Sequence, residues 1–361
     1  MNDYAIFDPT PPAVFMDSAA HPSQSLSPFM SVFFVAFLVA IVATPVMRRL
    51  AVKNGVIDWP DLKRKNHRLP VAYLGGVAIF IGWLAGVCSS FFTAPVHPNL
   101  ELSSLEPHTF PLSIVLGAAA ITVTGLFDDV YGIRARVKIG GQLFAAAALT
   151  WQHVGFDLVD AVYSLVGIAA GESLIYFTTT FLVAFMVIGG CNAVNLIDGL
   201  DGLASGVVAI GMVGFLTVSV LAGEFSQLVA LQNPMRFILC LAALGAILGF
   251  LPYNFAPARI FMGDAGSLLL GFLTVTAILL FGDAGGWSLR LTVAGLIIFG
   301  LPMTDTSLAI VRRYMRGQNI FAPDNQHLHH LLRKTGLSVR QSVLAMYSLA
   351  ALLAAIGLAM V

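Results

Sequence analysis

Ten apolar segments constrain what this chain can fold into more than any other feature of its sequence. A helix needs about 20 mostly apolar residues to cross the hydrocarbon core of a bilayer. With 58% hydrophobic and only 11% charged residues, the chain carries too little charge for a soluble domain. We therefore predict an all-α integral membrane protein with about ten transmembrane helices. The predicted spans are 29–46, 71–92, 111–127, 139–151, 174–190, 203–222, 237–250, 268–281, 291–309 and 342–361.

The remaining sequence fits a single membrane domain. Residues 1–27 are polar and lack the charged start of a secretory signal, so we predict a short tail followed by one polytopic domain over 28–361. Segment 154–170 is a weaker candidate that could lie in the interface or re-enter, because it carries Asp157 and Asp160. The formal charge of +0 indicates no nucleic-acid partner, and three widely spaced cysteines in apolar runs predict free thiols.

Lysine and arginine are distributed unevenly between the two sides of the predicted bundle. With ten spans, 17 of the 19 cationic residues fall on one side, and only Arg236 and Arg290 fall on the other. Cytoplasmic loops of membrane proteins carry such an excess of cations. We therefore predict that the cationic face is cytoplasmic and that both termini point outward.

Several carboxylates on the cationic side border apolar spans, where an unpaired charge is costly. Asp128 and Asp129 are adjacent at the end of a span, and two such carboxylates repel each other unless a cation is near. The pair indicates a Mg²⁺ or proton-transfer site, unless Arg134 and Arg136 simply solvate it.

Two glycine-rich turns add oxygen donors to the same side. Asn195, Asp198 and Asp201 recur every three residues, so a helical turn would project them to one side as ligands for a hard cation. Asp264 directly precedes an apolar span among small residues, which is typical either of a helix N-cap or of a phosphate site at a helix N-terminus.

A histidine-rich segment and the first loop on the cationic side complete the candidates. His327, His329 and His330 follow three arginines, and we leave phosphate binding, metal ligation and a solvated surface open for them. Attraction to anionic lipid explains the many cations of the first loop. It does not explain Asp58 and His67 in that loop.

Taken together, these motifs resemble the polyprenyl-phosphate N-acetylhexosamine-1-phosphate transferases, the glycosyltransferase-4 family of membrane enzymes. The resemblance runs in order from about Asp58 to Gln341. The tail after Pro323 resembles that of bacterial UDP-GlcNAc–undecaprenyl-phosphate GlcNAc-1-phosphate transferases, whereas Asp61 stands where they typically have Asn. The peptidoglycan branch more often has three consecutive histidines, and here Leu328 interrupts the run. The motifs that carry the resemblance are Asp128-Asp129, Asn195-xx-Asp198-Gly-Leu-Asp201-Gly, Phe261-Met-Gly-Asp264-xx-Gly-Ser267 and His327-Leu-His-His330.

The resemblance implies an enzyme that moves HexNAc-1-phosphate, with GlcNAc as the expected sugar, from UDP-HexNAc to undecaprenyl phosphate and releases UMP. It implies an active site formed by cytoplasmic loops of a bacterial inner-membrane protein, at the first membrane step of O-antigen or another cell-envelope polysaccharide. The alternatives are a phospho-MurNAc-pentapeptide transferase and, in another class, a transporter or flippase. The oligomeric state stays open, with a homodimer as one option.

The resemblance also implies the roles of the site residues. The cofactor is Mg²⁺, with Mn²⁺ as the alternative ion, and the implied metal ligands are Asp264, Asp128 and Asp198. The implied catalytic residues are Asp128, Asp129, Asp198, Asp201, His327, His329 and His330. The implied substrate-binding residues are Lys65, His67, Asn195, Asn254, Phe261 and Arg313.

Overall fold

The computed structural model describes residues 29–59, 70–92, 110–225, 234–283, 288–318 and 326–361. The predicted tail over 1–27 and the loop residues Lys65 and His67 lie outside this range. The described helices are α1 Met30–Lys53, α2 Gly75–Ser90, α3 Leu112–Tyr131, α4 Ala135–Trp151, α5 Phe156–Leu165, α6 Glu172–Ile197, α7 Leu203–Phe225, α8 Pro234–Asn254, α9 Gly263–Leu279, α10 Ser288–Ile298, α11 Gly300–Met315, α12 Leu328–Lys334 and α13 Val339–Leu358.

The prediction of an all-α, multi-pass membrane protein is confirmed. Each of the ten predicted spans is helical over most of its length, and seven described helices are long and apolar enough to cross a membrane. An eighth span is reached if the bent pair α10 and α11 counts as one, so the predicted number of about ten is not confirmed. The difference comes from α2 and α4, which have only 16 and 17 residues. Segment 154–170 contains the ten-residue helix α5.

Residues 71–74 do not belong to a span, although the sequence predicts one from residue 71. Val71–Ala72 is a short strand, β2, that pairs antiparallel with β1, Ile57–Asp58. Ala72 also bridges Ile260, and the amides of Gly75 and Gly76 donate to the carbonyls of Phe261 and Met262. These bonds attach the start of α2 to the segment that precedes α9.

The predicted span 291–309 is two helices rather than one straight helix. α10 and α11 meet at a bend of 71° around Phe299. Proline at 302 accounts for the break, because it has no N–H to continue the hydrogen bonds of α10.

Helix α9 is the centre of the bundle. Every residue of α9 except Asp264 is buried, and α2, α3, α6 and α7 pack around it. A helix that is apolar on all sides is expected in such a central position. Glycines allow the closest approaches: a Cβ on Gly125 would lie 2.4 Å from the Ala265 nitrogen, and a Cβ on Gly76 would lie 2.0 Å from the Gly266 nitrogen.

The packing brings cationic residues from several described helix ends to one end of the bundle. α3 and α6 end there, and α4, α9 and α13 begin there. Arg48 donates from Nε to the Arg259 carbonyl, and Arg340 donates from Nε to the Ala256 carbonyl, at 3.0 Å each. Helix ends from distant parts of the sequence therefore share one surface.

Candidate active site

A cavity of about 850 Å³ opens at this end of the bundle. It is bounded by the β2 region, by the turn after α6, by the segment before α9, and by the start of α13. Its walls combine charged and polar side chains with apolar ones near the ends of these elements. Seven of the sequence-predicted site residues line it: Asn195, Asp198, Asp201, Asn254, Phe261, Asp264 and His330.

The ammonium group of Lys138 joins two of the predicted carboxylates. Its Nζ lies 2.5 Å from Asp128 Oδ2 and 2.5 Å from Asp264 Oδ2. Asn195 donates from Nδ2 to the other oxygen of Asp264 at 2.9 Å. Residues from the end of α3, the start of α4, the end of α6 and the start of α9 therefore meet at one carboxylate, Asp264.

Asp129 has a different partner from its neighbour Asp128. Its two carboxylate oxygens accept the backbone N–H groups of Asp264 at 2.7 Å and Ala265 at 3.1 Å, so Asp129 caps α9 from another helix. A Cβ at position 263 would lie 2.4 Å from this carboxylate, and Gly263 has a φ of +66°. Glycine is therefore required for the turn that presents Asp264.

The helical turn that the spacing of Asn195, Asp198 and Asp201 predicts is not formed. α6 ends at Ile197, Asp198 is its C-cap, and Gly202 takes a left-handed conformation. All three side chains nevertheless line the cavity, because the turn folds back over it. Asp201 Oδ2 accepts the Ala258 N–H at 2.8 Å, which joins this turn to the segment before α9.

Asp198 is a carboxyl in an unfavourable place for negative charge. Burial, followed by the charges of Asp264, Asp129 and Asp201, raises the pKa of Asp198 to about 8. The same surroundings favour a bound cation.

Both polar atoms of the Asn254 side chain form hydrogen bonds within the protein. Its Nδ2 donates to the Ile260 carbonyl at 3.1 Å, and its Oδ1 lies 3.0 Å from Ser205 Oγ. Because the side chain is buried and hydrogen-bonded at both its nitrogen and its oxygen, it stabilises the segment before α9 at the cavity wall.

The three histidines lie beside the cavity at different depths. His330 lines it, whereas His327 and His329 are buried behind it. α12 begins at Leu328, so His329 and His330 lie in the helix and His327 directly precedes it. His329 packs against Gly199, where a Cβ would lie 2.4 Å from its Nε2.

Burial, followed by the neighbouring His330 and His327, lowers the pKa of His329 to about 4. An unfolded histidine titrates near 6.5, so the unfolded chain binds the proton more readily between these values and stability falls as pH falls from about 6.5 towards 4. The thermal unfolding midpoints of the wild type and of His329→Gln, measured in detergent at pH 7.5 and at pH 5, test this. The midpoint of the wild type should fall more between these two pH values than the midpoint of His329→Gln. Other groups, Asp198 included, act equally in both proteins, and parallel curves would contradict this assignment.

The carboxylates suit Mg²⁺ in chemistry and number. Among the described residues, no group of three or more His, Cys, Asp or Glu is close enough to hold a metal ion by itself. Two carboxylates, Asp128 and Asp264, do converge on one cationic atom. Mg²⁺ is commonly held by one or two carboxylates together with substrate phosphates, so this pair fits that ion as part of a substrate complex.

Comparison with known proteins decides the family. The family model described as "Glycosyl transferase family 4" matches residues 111–300, more than half of the chain. The chain belongs to glycosyl transferase family 4. The matched range contains Asp128, Lys138, Asn195, Asp198 and Asp264, which the fold brings together.

Individual members of glycosyl transferase family 4 are similar over most of the chain. A Bacillus subtilis protein named probable undecaprenyl-phosphate N-acetylglucosaminyl 1-phosphate transferase is 37% identical over 87% of this chain and 80% of its own length. The Mycobacterium leprae decaprenyl-phosphate N-acetylglucosaminephosphotransferase is 33% identical over 96% and 86%. The Escherichia coli K12 undecaprenyl-phosphate alpha-N-acetylglucosaminyl 1-phosphate transferase is 31% identical over 86% and 78%. The prediction of an enzyme of this family is confirmed.

Sequence reasoning missed three residues of the site in this family member. Lys138 was counted only among the loop cations, although it directly precedes a predicted span. Tyr73, whose hydroxyl bonds Asp58, lines the cavity, and burial together with nearby carboxylates raises its pKa. Asp305 is a buried carboxylate inside a predicted span, which is itself a signal of function. Arg313, by contrast, was predicted to bind substrate, and it is buried in α11 and does not line the cavity.

Proposed function

We propose that this protein transfers HexNAc-1-phosphate from UDP-HexNAc to a polyprenyl phosphate and releases UMP. The observation that carries the proposal is the meeting of Asp128, Lys138 and Asp264 beside a cavity with several acidic side chains at the end of a membrane bundle. A water-soluble nucleotide and a lipid phosphate can meet only at such a boundary. The names of the relatives supply the acceptor class, undecaprenyl or decaprenyl phosphate, and the sugar, N-acetylglucosamine.

In the proposed reaction, an oxygen of the lipid phosphate attacks the β-phosphorus of the sugar nucleotide. A new phosphorus–oxygen bond forms a polyprenyl-diphosphate sugar, and the bond between the β-phosphorus and the oxygen of UMP breaks. The lipid phosphate has a second pKa near 6, so most of it needs no base at neutral pH. We therefore favour direct attack, with Asp128 or Asp129 near the lipid phosphate.

The other residues would bind and orient the substrates. Asp264, Asp128 and Asp198 are the proposed ligands of Mg²⁺. Because these three carboxylates do not form a metal site by themselves, the ion would bind only together with substrate phosphates, whose charge it would neutralise. Phe261, whose ring also lies near Tyr73, lines the cavity and would stack on uracil, beside Asn195 and Asp201. Positioning of the phosphates and neutralisation of their charge are expected to dominate catalysis.

We place the cavity on the cytoplasmic face of a bacterial inner membrane, because the described cations Arg48, Lys138 and Arg340 lie at its end of the bundle. Two proteins with one exposed cysteine each test this orientation: Cys88, which is exposed, is replaced by alanine, and Cys191 and Cys240, which are buried, stay. Thr335→Cys lies at the cavity end and Ser164→Cys at the opposite end, and both positions are exposed. We expect an impermeant maleimide to label only Ser164→Cys in intact cells and both proteins after lysis. Labelling of Thr335→Cys from outside would contradict the orientation.

The sugar and the polymer are the finer part of the proposal. We propose UDP-GlcNAc as the donor and the first membrane step of O-antigen or another cell-envelope polysaccharide as the role. Purified protein with undecaprenyl phosphate and Mg²⁺ should transfer radiolabel from UDP-GlcNAc into a butanol-soluble lipid, and EDTA should stop the transfer. UDP-GalNAc and UDP-MurNAc-pentapeptide in parallel reactions define the specificity. Transfer from the last donor alone would assign the protein to peptidoglycan synthesis.

A further inference from the structure

Asp305 is a carboxylate buried in the bent span, with both of its oxygens bonded to the histidine-rich segment. It lies in α11 and is 1% exposed. Its Oδ2 is 2.9 Å from His327 Nδ1, and its Oδ1 accepts the Leu328 N–H at 2.9 Å. A buried carboxylate costs stability unless it is paired and hydrogen-bonded, and here two bonds to one short segment compensate.

The bond to Leu328 determines where α12 begins. His327 is the residue at the N-cap position, and its side chain makes no capping bond. Among the described residues, Asp305 supplies the acceptor for the first helical N–H instead, from 23 positions away in the sequence. The start of α12 is therefore fixed to the membrane-embedded helix α11.

The bond to His327 determines which ring nitrogen remains for other partners. A carboxylate only accepts hydrogen bonds, so the proton in this bond belongs to Nδ1. In a neutral imidazole, Nε2 is then the nitrogen that can accept a hydrogen bond from another group. The His327 ring stacks on His329 with centroids 5.8 Å apart, and it lies 6.3 Å from His330 in the cavity wall. His329 in turn fits against Gly199 in the turn between Asp198 and Asp201.

We propose that Asp305 is a positioning residue of the active site: it sets the tautomer of His327 and seats the three histidines against the turn that carries Asp198 and Asp201. The inference rests on the proposed function for its effect on catalysis. The bent span would thus serve the site directly, because the break at Phe299 gives α11 its separate direction towards the histidines.

Asp305→Asn separates this role from simple support. The side-chain carbonyl can still accept the Leu328 N–H, so the cap survives. The amide then donates to His327 Nδ1, which must give up its proton, and the tautomer is reversed. We expect kcat to fall about 10- to 100-fold, the range for residues that orient a functional histidine, with both KM values within about threefold and the unfolding midpoint within about 3 °C. Asp160→Asn, an exposed carboxylate at the other end, is the matched control.

A double-mutant cycle shows whether Asp305 acts through His327. In a His327→Ala background, Asp305→Asn should lower kcat by less than about twofold further. If the losses in kcat of the two single variants multiply in the double variant, the proposal is overturned. It is also overturned if kcat of Asp305→Asn is within twofold of that of an active wild type, whether or not the unfolding midpoint falls.

Nitrogen-15 spectra of the histidines keep this test separate from the activity. One resonance pair, absent from His327→Ala, should show a protonated Nδ1 in the wild type and a protonated Nε2 in Asp305→Asn. A wild type that fails to transfer sugar phosphate, but shows this change, would refute the proposed function and leave the positioning role intact. An unchanged tautomer in Asp305→Asn would refute the positioning role.

Discussion

Asp264→Asn should reduce transfer of sugar phosphate about 10³-fold or more, while the protein stays folded. The substitution keeps the size of the side chain and removes the charge that Lys138 and the proposed Mg²⁺ both need. Loss of one preorganised group that stabilises transition-state charge typically lowers kcat by about 10²- to 10³-fold, and loss of a metal ligand adds to this. Initial rates of lipid labelling from UDP-GlcNAc over a range of Mg²⁺ concentrations measure the effect.

Thermal unfolding gives this prediction a second readout. A ligand that binds only the folded state raises the unfolding midpoint. Mg²⁺ together with UDP-GlcNAc should therefore raise the midpoint of the wild type and of Asp160→Asn, but not that of Asp264→Asn. Near-normal turnover of Asp264→Asn, or a midpoint that still rises as in the wild type, would remove Asp264 from the metal site.

Gly125→Ala should destabilise the protein and lower its activity at least tenfold, although residue 125 has no chemistry of its own. The added Cβ would lie 2.4 Å from the Ala265 nitrogen and 2.5 Å from the Asp264 carbonyl carbon. These are backbone atoms, so α3 must move away from the start of α9. Overpacking of this kind costs about 1–3 kcal/mol. The movement would also lengthen the bonds from Asp129 that cap α9.

Gly140→Ala is the matched control for this substitution. Gly140 lies within α4 near the same end of the bundle, and a Cβ there would meet nothing within 4 Å. Because alanine is the better helix former by about 1 kcal/mol, the control should be at least as stable as the wild type. Equal unfolding midpoints for Gly125→Ala and Gly140→Ala would show that α3 and α9 are not packed backbone to backbone at the site.

Much of the fold and of the site could be predicted because apolar length and buried charge are local properties of a sequence. All ten predicted spans are helical over most of their length, and several carboxylates at their ends on the cationic side do meet. The neighbours Asp128 and Asp129 could not be told apart, however, because Asp129 bonds the start of α9, which is 135 positions away in the sequence.

Local patterns failed where tertiary contacts override them. The three-residue spacing of Asn195, Asp198 and Asp201 predicts a helical face, yet α6 stops at Ile197 and a glycine turn brings the side chains together. Likewise, the hydropathy of residues 291–309 does not indicate the break between α10 and α11, because Pro302 does not interrupt the apolar run. Asp305 could have been found from the cost of a carboxylate inside a span, whereas its partner His327 could not.

The central claim is that a sugar nucleotide and a lipid phosphate react at the Asp128–Lys138–Asp264 cluster by transfer of a phosphosugar. UDP-GlcNAc labelled with phosphorus-32 in either the α or the β position tests it most directly, with purified protein, undecaprenyl phosphate and Mg²⁺. We predict that β-label enters the butanol-soluble lipid and that α-label stays in water as UMP. If the α-label and the β-label both remain in the aqueous phase, the claim is contradicted, whether or not the sugar itself enters the lipid.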